Sequence, residues 1–416
     1  MKGFFSSPLQ KEEKKRNPRA PSEKKEGRQN STDPCEACGL YKGCIVSPKM
    51  APFGEGRKNI LVIGEFPGPL DDRKGQPGQG KEGQILADAF EQYGLDLFQD
   101  AVLYNAVNCR PLSKTGAGRD PTDREVKHCR THVLALIKQL SPALILLVGD
   151  LAVQSVIGHR WKKDLGGAFR WRGWTIPDEE LKTWVCPILP LSYVSGIEDT
   201  GGIPRFWKKD LRKALALAEQ PLPDPIDQRV EIVDDLEMVL PTLLQKPVLA
   251  WDIETTGLKP YSKGHQIATI AFSDGEQAWA APATNVAAIR RILLDRRIRK
   301  IAQNMKFEHT WAKILLNIET RNWWWDTMLA SHILDNRPSV TSLKFQTYVR
   351  FGVSGYDDEV QPYLKGADET NANSMNRVLE LMADPSLRTK LLRYNALDAL
   401  FTFHLAMAQR QEMGID

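Results

Sequence analysis

The sequence predicts an α/β protein in two successive blocks, a mostly parallel α/β/α sandwich followed by a block with a mixed sheet. Apolar runs alternate with helically spaced segments in the first half, which favours parallel strands joined by helices. Three strand-like runs follow one another at the start of the second half. The proline-rich polar stretch LAEQPLPDPIDQRVEIV separates the halves, and 416 residues leave room for two domains.

In the first block, strands are expected where apolar residues follow one another directly. They are predicted at 58–64, 101–111 (with its loop), 142–149 and 184–192, and helices at 82–94, 124–140 and 150–158. Loops rich in Gly, Pro and Asn follow the first two strands. Ligands of parallel sheets bind beyond the carboxyl ends of strands, so these loops are candidate binding elements.

In the second block, three runs with strand character come first, and a helix–strand–helix unit follows them. Strands are predicted at 248–254, 265–274, 276–283 and 300–304, and helices at about 285–297 and 306–317, with a mainly helical remainder. This order indicates a mixed sheet with helices on its faces. We place a tail at 1–30, the first domain at 31–218, a linker at 219–230 and the second domain at 231–416.

Charge is unevenly distributed along the chain. Residues 1–30 carry nine Lys/Arg and four Asp/Glu, a net +5 (9 − 4), although the whole chain carries only +4. A segment so charged and so poor in apolar residues is expected to be disordered. It is either a basic arm that binds nucleic acid or an acidic protein partner, or it is a solvated tail without a function in binding. No apolar run reaches membrane-span length, and we expect a cytoplasmic protein.

Two carboxylates interrupt the apolar run VLAWDIETTGL. Side chains at i and i+2 of a strand share a face, so Asp252 and Glu254 should lie side by side. Burying such a pair is costly and indicates a compensating cation. Tyr394 and Asp398 are one turn apart on a predicted helix, and Glu308 begins another. Such acids can hold two divalent cations, Mg²⁺ or Mn²⁺, which stabilise both oxygens of a displacement at phosphorus.

Four motifs of the second block, DIETTGL, NMKFE, WDTMLASHIL and YNALD, occur in this order between about residues 245 and 407. They resemble the motifs of DEDD-type 3′→5′ exonucleases with a tyrosine in the third motif. The likeness is greatest to the proofreading domain of family A DNA polymerases, which implies a ribonuclease-H-like fold. The resemblance implies that the metal ligands are Asp252, Glu254 and Asp398, and that Tyr394 positions the attacking water.

The same resemblance assigns residues that bind the substrate. Leu258 would wedge near the 3′-terminal base, and Asn304 would support the terminal nucleotide. One position departs from the family pattern, because the second motif usually ends in Asp and here ends in Glu308. A longer acid can still bind metal, but metal preference and rate are left open. Asp326 aligns with an acid that we interpret as structural.

The six cysteines include a Cys35-x₂-Cys38 pair and two further thiols, Cys109 and Cys129, with nineteen residues between them. In an intracellular chain of this size, clustered cysteines indicate metal more than disulfides. The pair alone fits a zinc half-site, a redox pair or chance. Four thiolates suit Zn²⁺ or a [4Fe–4S] cluster equally well.

The stretches CEACGLYKGC, VIGEFPGPLDDRKGQP, YNAVNCRP and KHC, over about residues 33–216, resemble the iron–sulfur (family 4) uracil-DNA glycosylases. The resemblance implies a glycosylase-like sandwich and a [4Fe–4S] cluster held by Cys35, Cys38, Cys109 and Cys129. Cys44 and Cys186 would then be spare. Glu65 occupies the usual acidic place of the first loop, and Asn105 matches the asparagine that reads the uracil edge.

Two features of that family are missing. Gly78 stands where the family has an aromatic residue that stacks on the flipped base, and Pro190 stands where its late motif has histidine. Lost stacking costs roughly 1–3 kcal/mol per base. A lost donor to the departing anion costs roughly a further 2.7–4 kcal/mol. We therefore expect a weak or inactive glycosylase that binds DNA or another protein.

Together these features predict a metal-dependent 3′→5′ DNA exonuclease that acts on single-stranded 3′ ends. We expect it to proofread beside a separate DNA polymerase chain in a phage-like replication system, and hence in the host cytoplasm if it is phage-encoded. Three alternatives remain open. They are a uracil-DNA repair enzyme with an active glycosylase, a non-catalytic replication scaffold, and an RNA 3′ exonuclease of the ribonuclease D kind.

Overall fold

A computed structural model describes residues 33–415, apart from 45, 162–163, 196–202, 367, 369 and 372. The basic segment predicted at residues 1–30 lies outside the described residues. Each half of the described chain forms one sheet with helices packed against it, which confirms the predicted α/β class. Within the described residues, no helix is long and apolar enough to cross a membrane.

The first sheet has five strands in the order β2-β1-β3-β5-β4. These strands are β1 Ile60–Gly64, β2 Ala101–Asn105, β3 Leu144–Val148, β4 Ile176–Asp178 and β5 Thr183–Ile188. All pairings are parallel except that of the edge strand β4. The strand predicted at 184–192 ends at Ile188, and residues 191–195 are helical instead.

Nine helices accompany the first sheet in the described part of the chain. They are α1 Pro34–Cys38, α2 Pro69–Lys74, α3 Lys81–Glu91, α4 Leu97–Asp100, α5 Asp123–Leu140, α6 Asp150–Val156, α7 Ala168–Trp171, α8 Leu191–Ser195 and α9 Ile203–Leu215. Helix α5 begins with a capping box, in which Thr122 and Glu125 satisfy each other's backbone N–H groups. Its last two turns pack Val133 and Ile137 into the core.

The second sheet has six strands in the order β11-β10-β7-β8-β9-β6. They are β6 Val230–Ile232, β7 Val248–Thr255, β8 Ile267–Ser273, β9 Ala278–Pro282, β10 Arg299–Ala302 and β11 Trp323–Asp326. Strands β7, β8 and β9 pair antiparallel, and the outer pairings are parallel. The predicted mixed sheet is therefore confirmed.

The helices of the second half lie on both sides of this sheet. They are α10 Leu240–Leu243, α11 Val286–Leu294, α12 Met305–Leu315, α13 Thr327–Leu334, α14 Leu343–Phe351, α15 Gln361–Leu364, α16 Val378–Ala383 and α17 Pro385–Glu412. Helix α17 is capped by Asp384 and packs its apolar residues across β7, β8 and β9. Through this packing the middle of α17 meets the carboxyl-terminal half of β7.

Candidate active site and cysteine cavity

Three carboxylates from two distant elements converge on one point of the second domain. Asp252 and Glu254 extend from the same face of β7, where they lie opposite Ala271 and Thr269 of β8. Asp398 comes from α17. The three acids each offer an oxygen within 4.8 Å of the others. The structure thus brings together the three residues that the sequence singles out as metal ligands.

Glu308 approaches the same cluster from the first turn of α12. It is buried, and its Oε2 atom accepts no hydrogen bond from any residue that the structure describes. Burial raises the pKa of Glu308 well above its ordinary value, and the charge of Asp252 raises it further. A buried acceptor without a donor is costly, and a hard cation would satisfy it.

Burial and mutual repulsion also act on the two acids of β7. Burial raises the pKa of Asp252, with Asp398 as the second cause, and burial raises the pKa of Glu254, with Asp252 as the second cause. Asn395 offsets part of this cost by donating its Nδ2 proton to Asp252 Oδ2 at 2.7 Å. The arrangement favours protons or a metal ion over free carboxylates.

Asn395 is itself held in place by Thr269, whose Oγ1 donates to Asn395 Oδ1 at 2.8 Å. Sequence reasoning missed this residue, although its place between Tyr394 and Asp398 was a signal that could have found it. On a helix that lies flat on a sheet, a residue next to a ligand can reach the strand beneath. Asn395 is fully buried and ties α17 to β7 and β8.

Tyr394 lies one turn before Asp398 on α17. Burial raises its pKa first, and the charges of Asp398 and Glu254 raise it further. Its hydroxyl lies beside the acid cluster, because it shares the Lys344 ammonium group with Asp398. The tyrosine accepts a hydrogen bond from Lys344 Nζ at 3.0 Å. Lys344 was also missed, because a lysine on a helix usually belongs to the solvated face and carries no motif of its own.

The two residues that the sequence assigned to the terminal nucleotide differ in their surroundings. Leu258 is 66% exposed and lines an open groove together with Glu254 and Phe307. Asn304 precedes α12 in the left-handed conformation, with φ +64°. Asp326 holds this turn by accepting hydrogen bonds from the backbone N–H groups of Asn304 and Met305.

The first domain has a cavity at the carboxyl ends of β1 and β2. Glu65, Asn105, Gly78 and Ser192 are among the residues that line it. Leu151 donates its backbone N–H to Glu65 Oε1 at 3.2 Å, and burial raises the pKa of Glu65 to about 7. Both polar residues that the sequence assigned to base recognition therefore face one cavity.

The backbone at Gly78 does not accommodate the missing aromatic residue. Its φ is +78°, and a Cβ atom there would lie 2.6 Å from Leu103 Cδ2. A side chain at this position is strained whatever its size. Pro190, which directly precedes the cavity-lining residues Leu191 and Ser192, is buried and carries no proton donor in its side chain.

The four cysteines singled out from the sequence line one small apolar cavity between α1 and α5. These residues are Cys35, Cys38, Cys109 and Cys129. The thiol sulfurs accept backbone hydrogen bonds from Lys49 (at Cys109, 3.2 Å) and Asn108 (at Cys129, 3.4 Å). Four thiols around one cavity fit a cluster or a metal ion, since such backbone donors stabilise thiolates.

The remaining cysteines differ in their surroundings. Cys44 donates to the backbone carbonyls of Leu40 and Arg110, and Cys186 lies in the core of the first sheet. A second group of possible metal ligands, Asp33, Cys35 and His132, shares Cys35 with the cavity, and His132 Nε2 lies 3.1 Å from its sulfur. Zinc thus remains an alternative to an iron–sulfur cluster.

Comparisons with known families assign each half of the chain. Residues 228–413 match the 3′–5′ exonuclease family model, and residues 51–213 match the uracil DNA glycosylase superfamily model. The chain therefore contains a uracil-DNA-glycosylase-superfamily domain followed by a domain of the 3′–5′ exonuclease family.

Individual relatives match parts of the chain. The type-4 uracil-DNA glycosylase of Archaeoglobus fulgidus is 30% identical over 29% of this chain and 58% of its own. That of Pyrobaculum aerophilum is 31% identical over 31% of this chain and 64% of its own. The DNA polymerase of Bacillus phage SP01 is 25% identical over 78% of this chain and 38% of its own. The chain thus spans less than two thirds of each of these relatives.

Proposed function

We propose that the protein is a metal-dependent 3′→5′ DNA exonuclease. The observation that carries this proposal is the convergence of Asp252, Glu254 and Asp398 within 4.8 Å, beside a Glu308 oxygen that lacks a donor in the described structure. The donor set is entirely carboxylate oxygen, which suits Mg²⁺ or Mn²⁺, two ions in the arrangement predicted from the sequence. Such ions lower the pKa of water and stabilise charge on the reacting phosphate.

The residues of the chain have separate tasks in this proposal. Asp252, Glu254, Glu308 and Asp398 supply the negative charge that binds metal. Tyr394 presents its hydroxyl to the same cluster and orients the water that attacks the last phosphodiester bond. Leu258 and Asn304 hold the terminal nucleotide, since Leu258 offers an exposed apolar surface in the groove next to Glu254.

We propose that the glycosylase-like domain holds a [4Fe–4S] cluster at its four cysteines and binds DNA or a partner without efficient uracil release. The absence of an aromatic side chain at Gly78, where the backbone disfavours any side chain, and the proline at position 190 support the loss of catalysis. The similarity to a phage DNA polymerase supports a role in DNA synthesis together with a DNA polymerase. It also supports a phage replication system as the setting, and with it the host cytoplasm.

The test is digestion of single-stranded DNA labelled at either end, with Mg²⁺. Wild type should release labelled mononucleotide at once from the 3′-labelled strand and should shorten the 5′-labelled strand stepwise. The Asp252→Ala/Glu254→Ala variant should do neither. A matched variant with two exposed acids of the same domain replaced, Glu237→Ala/Glu319→Ala, should keep wild-type activity. Absence of metal-dependent DNA digestion by wild type would exclude the DNA exonuclease function.

Matched RNA strands in the same assay separate a DNA from an RNA exonuclease. A second candidate function, uracil-DNA repair, is favoured by the presence of both Glu65 and Asn105 in one cavity. Uracil-containing single strands decide this point. Release of free uracil by wild type, lost in Asn105→Ala, would show that the first domain is an active glycosylase.

A further inference from the structure

A lysine lies inside the acid cluster and uses its full donor capacity there. Lys344 Nζ donates to Asp398 Oδ1 at 2.5 Å, to Tyr394 Oη at 3.0 Å and to Tyr356 Oη at 3.0 Å. An ammonium group has three protons and no acceptor. Each proton therefore has a partner within the proposed active site.

The ammonium group also lies against two aromatic rings. Its distance is 4.3 Å from the ring centroid of Tyr356 and 4.2 Å from that of Tyr394. Contacts of this kind stabilise a cation at a fixed place. Tyr356 strengthens the arrangement by donating its hydroxyl to Asp398 Oδ1 at 2.7 Å. The place of Lys344 is thus defined by two tyrosines as well as by a carboxylate.

The helix that carries Lys344 is anchored on the other domain. Phe345 and Tyr348, next to Lys344 and one turn after it on α14, are buried in the core cluster of the first domain. Phe345 packs its ring 5.0 Å from that of Trp171, measured between centroids. Because α14 is packed at this surface, its backbone has little freedom to withdraw Lys344 from the acids.

The hydrogen bonds from Lys344 and Tyr356 limit how many metal ions Asp398 can bind. Its Oδ1 atom accepts from both Lys344 and Tyr356, which uses both lone pairs of that oxygen. Only Oδ2 remains for a metal ion. The acids that meet within 4.8 Å are Asp252, Glu254 and Asp398, a ligand set for one ion, to which the nearby Glu308 can add its Oε2, which accepts no hydrogen bond from the described residues.

We infer that Lys344 is a built-in cation that takes the place of a second divalent ion, so that the site binds one divalent ion and one ammonium group. This inference rests on the proposed exonuclease function and narrows its metal count. In this role Lys344 is a positioning residue, since it fixes Tyr394 and Asp398 and supplies positive charge beside the reacting phosphate.

The test counts Mn²⁺ ions bound to the full-length protein, by electron paramagnetic resonance of the free ion. The number of Mn²⁺ ions bound by the Asp252→Asn/Glu254→Gln variant counts the ions bound elsewhere on the protein. This number is subtracted from that of each other variant and of wild type. We expect one acid-dependent ion in wild type, one in Lys344→Arg, and two in Lys344→Met, where Asp398 Oδ1 regains a lone pair. Lys390→Met, which removes an exposed lysine paired with Glu359 on the surface, should bind one ion.

Two acid-dependent ions in wild type, or only one in a folded Lys344→Met variant, would overturn the inference. Should Lys344→Met fail to fold, the count in wild type and in Lys344→Arg still decides. No acid-dependent ion in wild type would overturn both this inference and the exonuclease function. One bound ion without digestion of labelled DNA would overturn the exonuclease function alone.

Discussion

Tyr348 of the exonuclease-family domain donates its hydroxyl to Asp178 Oδ2 of the glycosylase-like domain at 3.0 Å. Asp178 is fully buried and is also paired with the Arg160 guanidinium, whose Nη1 donates to Oδ1 at 2.8 Å. A charged pair of the first domain is thus enclosed in the protein interior, where Tyr348 of the second domain contacts it and Trp161 lies stacked 6.1 Å from Tyr348. This contact joins the domains at the helix that carries Lys344.

Replacing Asp178 should therefore destabilise the protein strongly. Asp178→Ala leaves the Arg160 guanidinium with only the exposed carboxylate of Glu180, and breaking the buried pair should cost about 3–5 kcal/mol in the free energy of unfolding. Tyr348→Phe removes the hydrogen bond to Asp178 and a longer one from Arg160 Nη2 at 3.4 Å, and it should cost about 1–3 kcal/mol. Urea unfolding measures both. Glu219→Ala, which breaks an exposed pair with Lys58, is the control and should leave stability unchanged. Equal effects of Asp178→Ala and Glu219→Ala would contradict the buried pair.

The domain contact also requires glycine at position 352. Its φ is +73°, and a Cβ atom there would lie 1.7 Å from the carbonyl oxygen of Pro177. Gly352→Ala must therefore shift α14 or β4, and we expect a lower melting temperature. Gly94→Ala separates strain from collision, because Gly94 has φ +74° but open space around its Cβ position. A melting temperature no lower for Gly352→Ala than for Gly94→Ala would argue against the close approach.

The contacts that join the domains illustrate what the sequence could not predict. The strands β1, β3, β7 and β8 were predicted because each is a continuous apolar run. The edge strands β4, β6 and β11 have only three or four residues each, too few for a pattern. Pairing of Asp178 with Tyr348 depends on how the finished domains pack, and no local signal encodes it.

In the candidate active site, too, some residues were predictable from the sequence and others were not. Asp252, Glu254 and Asp398 were found because their spacing is periodic on a strand or a helix and their motifs have a fixed order. Lys344 and Asn395 reach the acids only through the tertiary packing of α14 and α17. A charged or polar residue on a helix has the same local pattern whether it faces solvent or a buried carboxylate, so sequence reasoning assigned them no role.

Removal of the Tyr394 hydroxyl tests its role in orienting water. Tyr394→Phe keeps the ring beside Lys344 but loses the group that faces the acids, and we expect digestion of labelled DNA to slow by about 10²-fold. The count of bound Mn²⁺ should not change, because the carboxylates remain. Tyr93→Phe in the other domain is the control. A wild-type rate for Tyr394→Phe would exclude the hydroxyl from the reaction.

The cysteine assignment predicts which thiols carry a chromophore. Purified wild type should be brown, and single Ala substitutions at Cys35, Cys38, Cys109 or Cys129 should bleach it or lower its iron content. Cys44→Ala and Cys186→Ala are matched controls and should stay brown, since Cys44 is bonded to backbone carbonyls and Cys186 lies in the sheet core. Visible absorbance and iron analysis measure this. Colourless protein with one zinc ion per chain would favour the zinc alternative.

Glu65 makes the stability of the first domain depend on pH. Burial raises its pKa from an ordinary value of 4.5 to about 7, so the folded state holds this proton more tightly than the unfolded state. The contribution of the Glu65 carboxyl group to the free energy of unfolding is therefore fully present below about pH 4.5, and it is lost as the pH rises to about 7. Glu65→Gln lacks the ionisable group, and above pH 7 it should be more stable than wild type by about 2 kcal/mol.

The measurement is urea unfolding of both proteins between pH 4 and pH 8. The difference in unfolding free energy between wild type and Glu65→Gln should grow from about pH 4.5 to about pH 7 and stay level above pH 7. Above that pH, Glu65 of wild type is ionised in both the folded and the unfolded state. Glu91→Gln, which changes an exposed acid of α3, should show no such pH-dependent difference. A constant difference between wild type and Glu65→Gln at all pH values would mean that Glu65 is solvated in the folded protein.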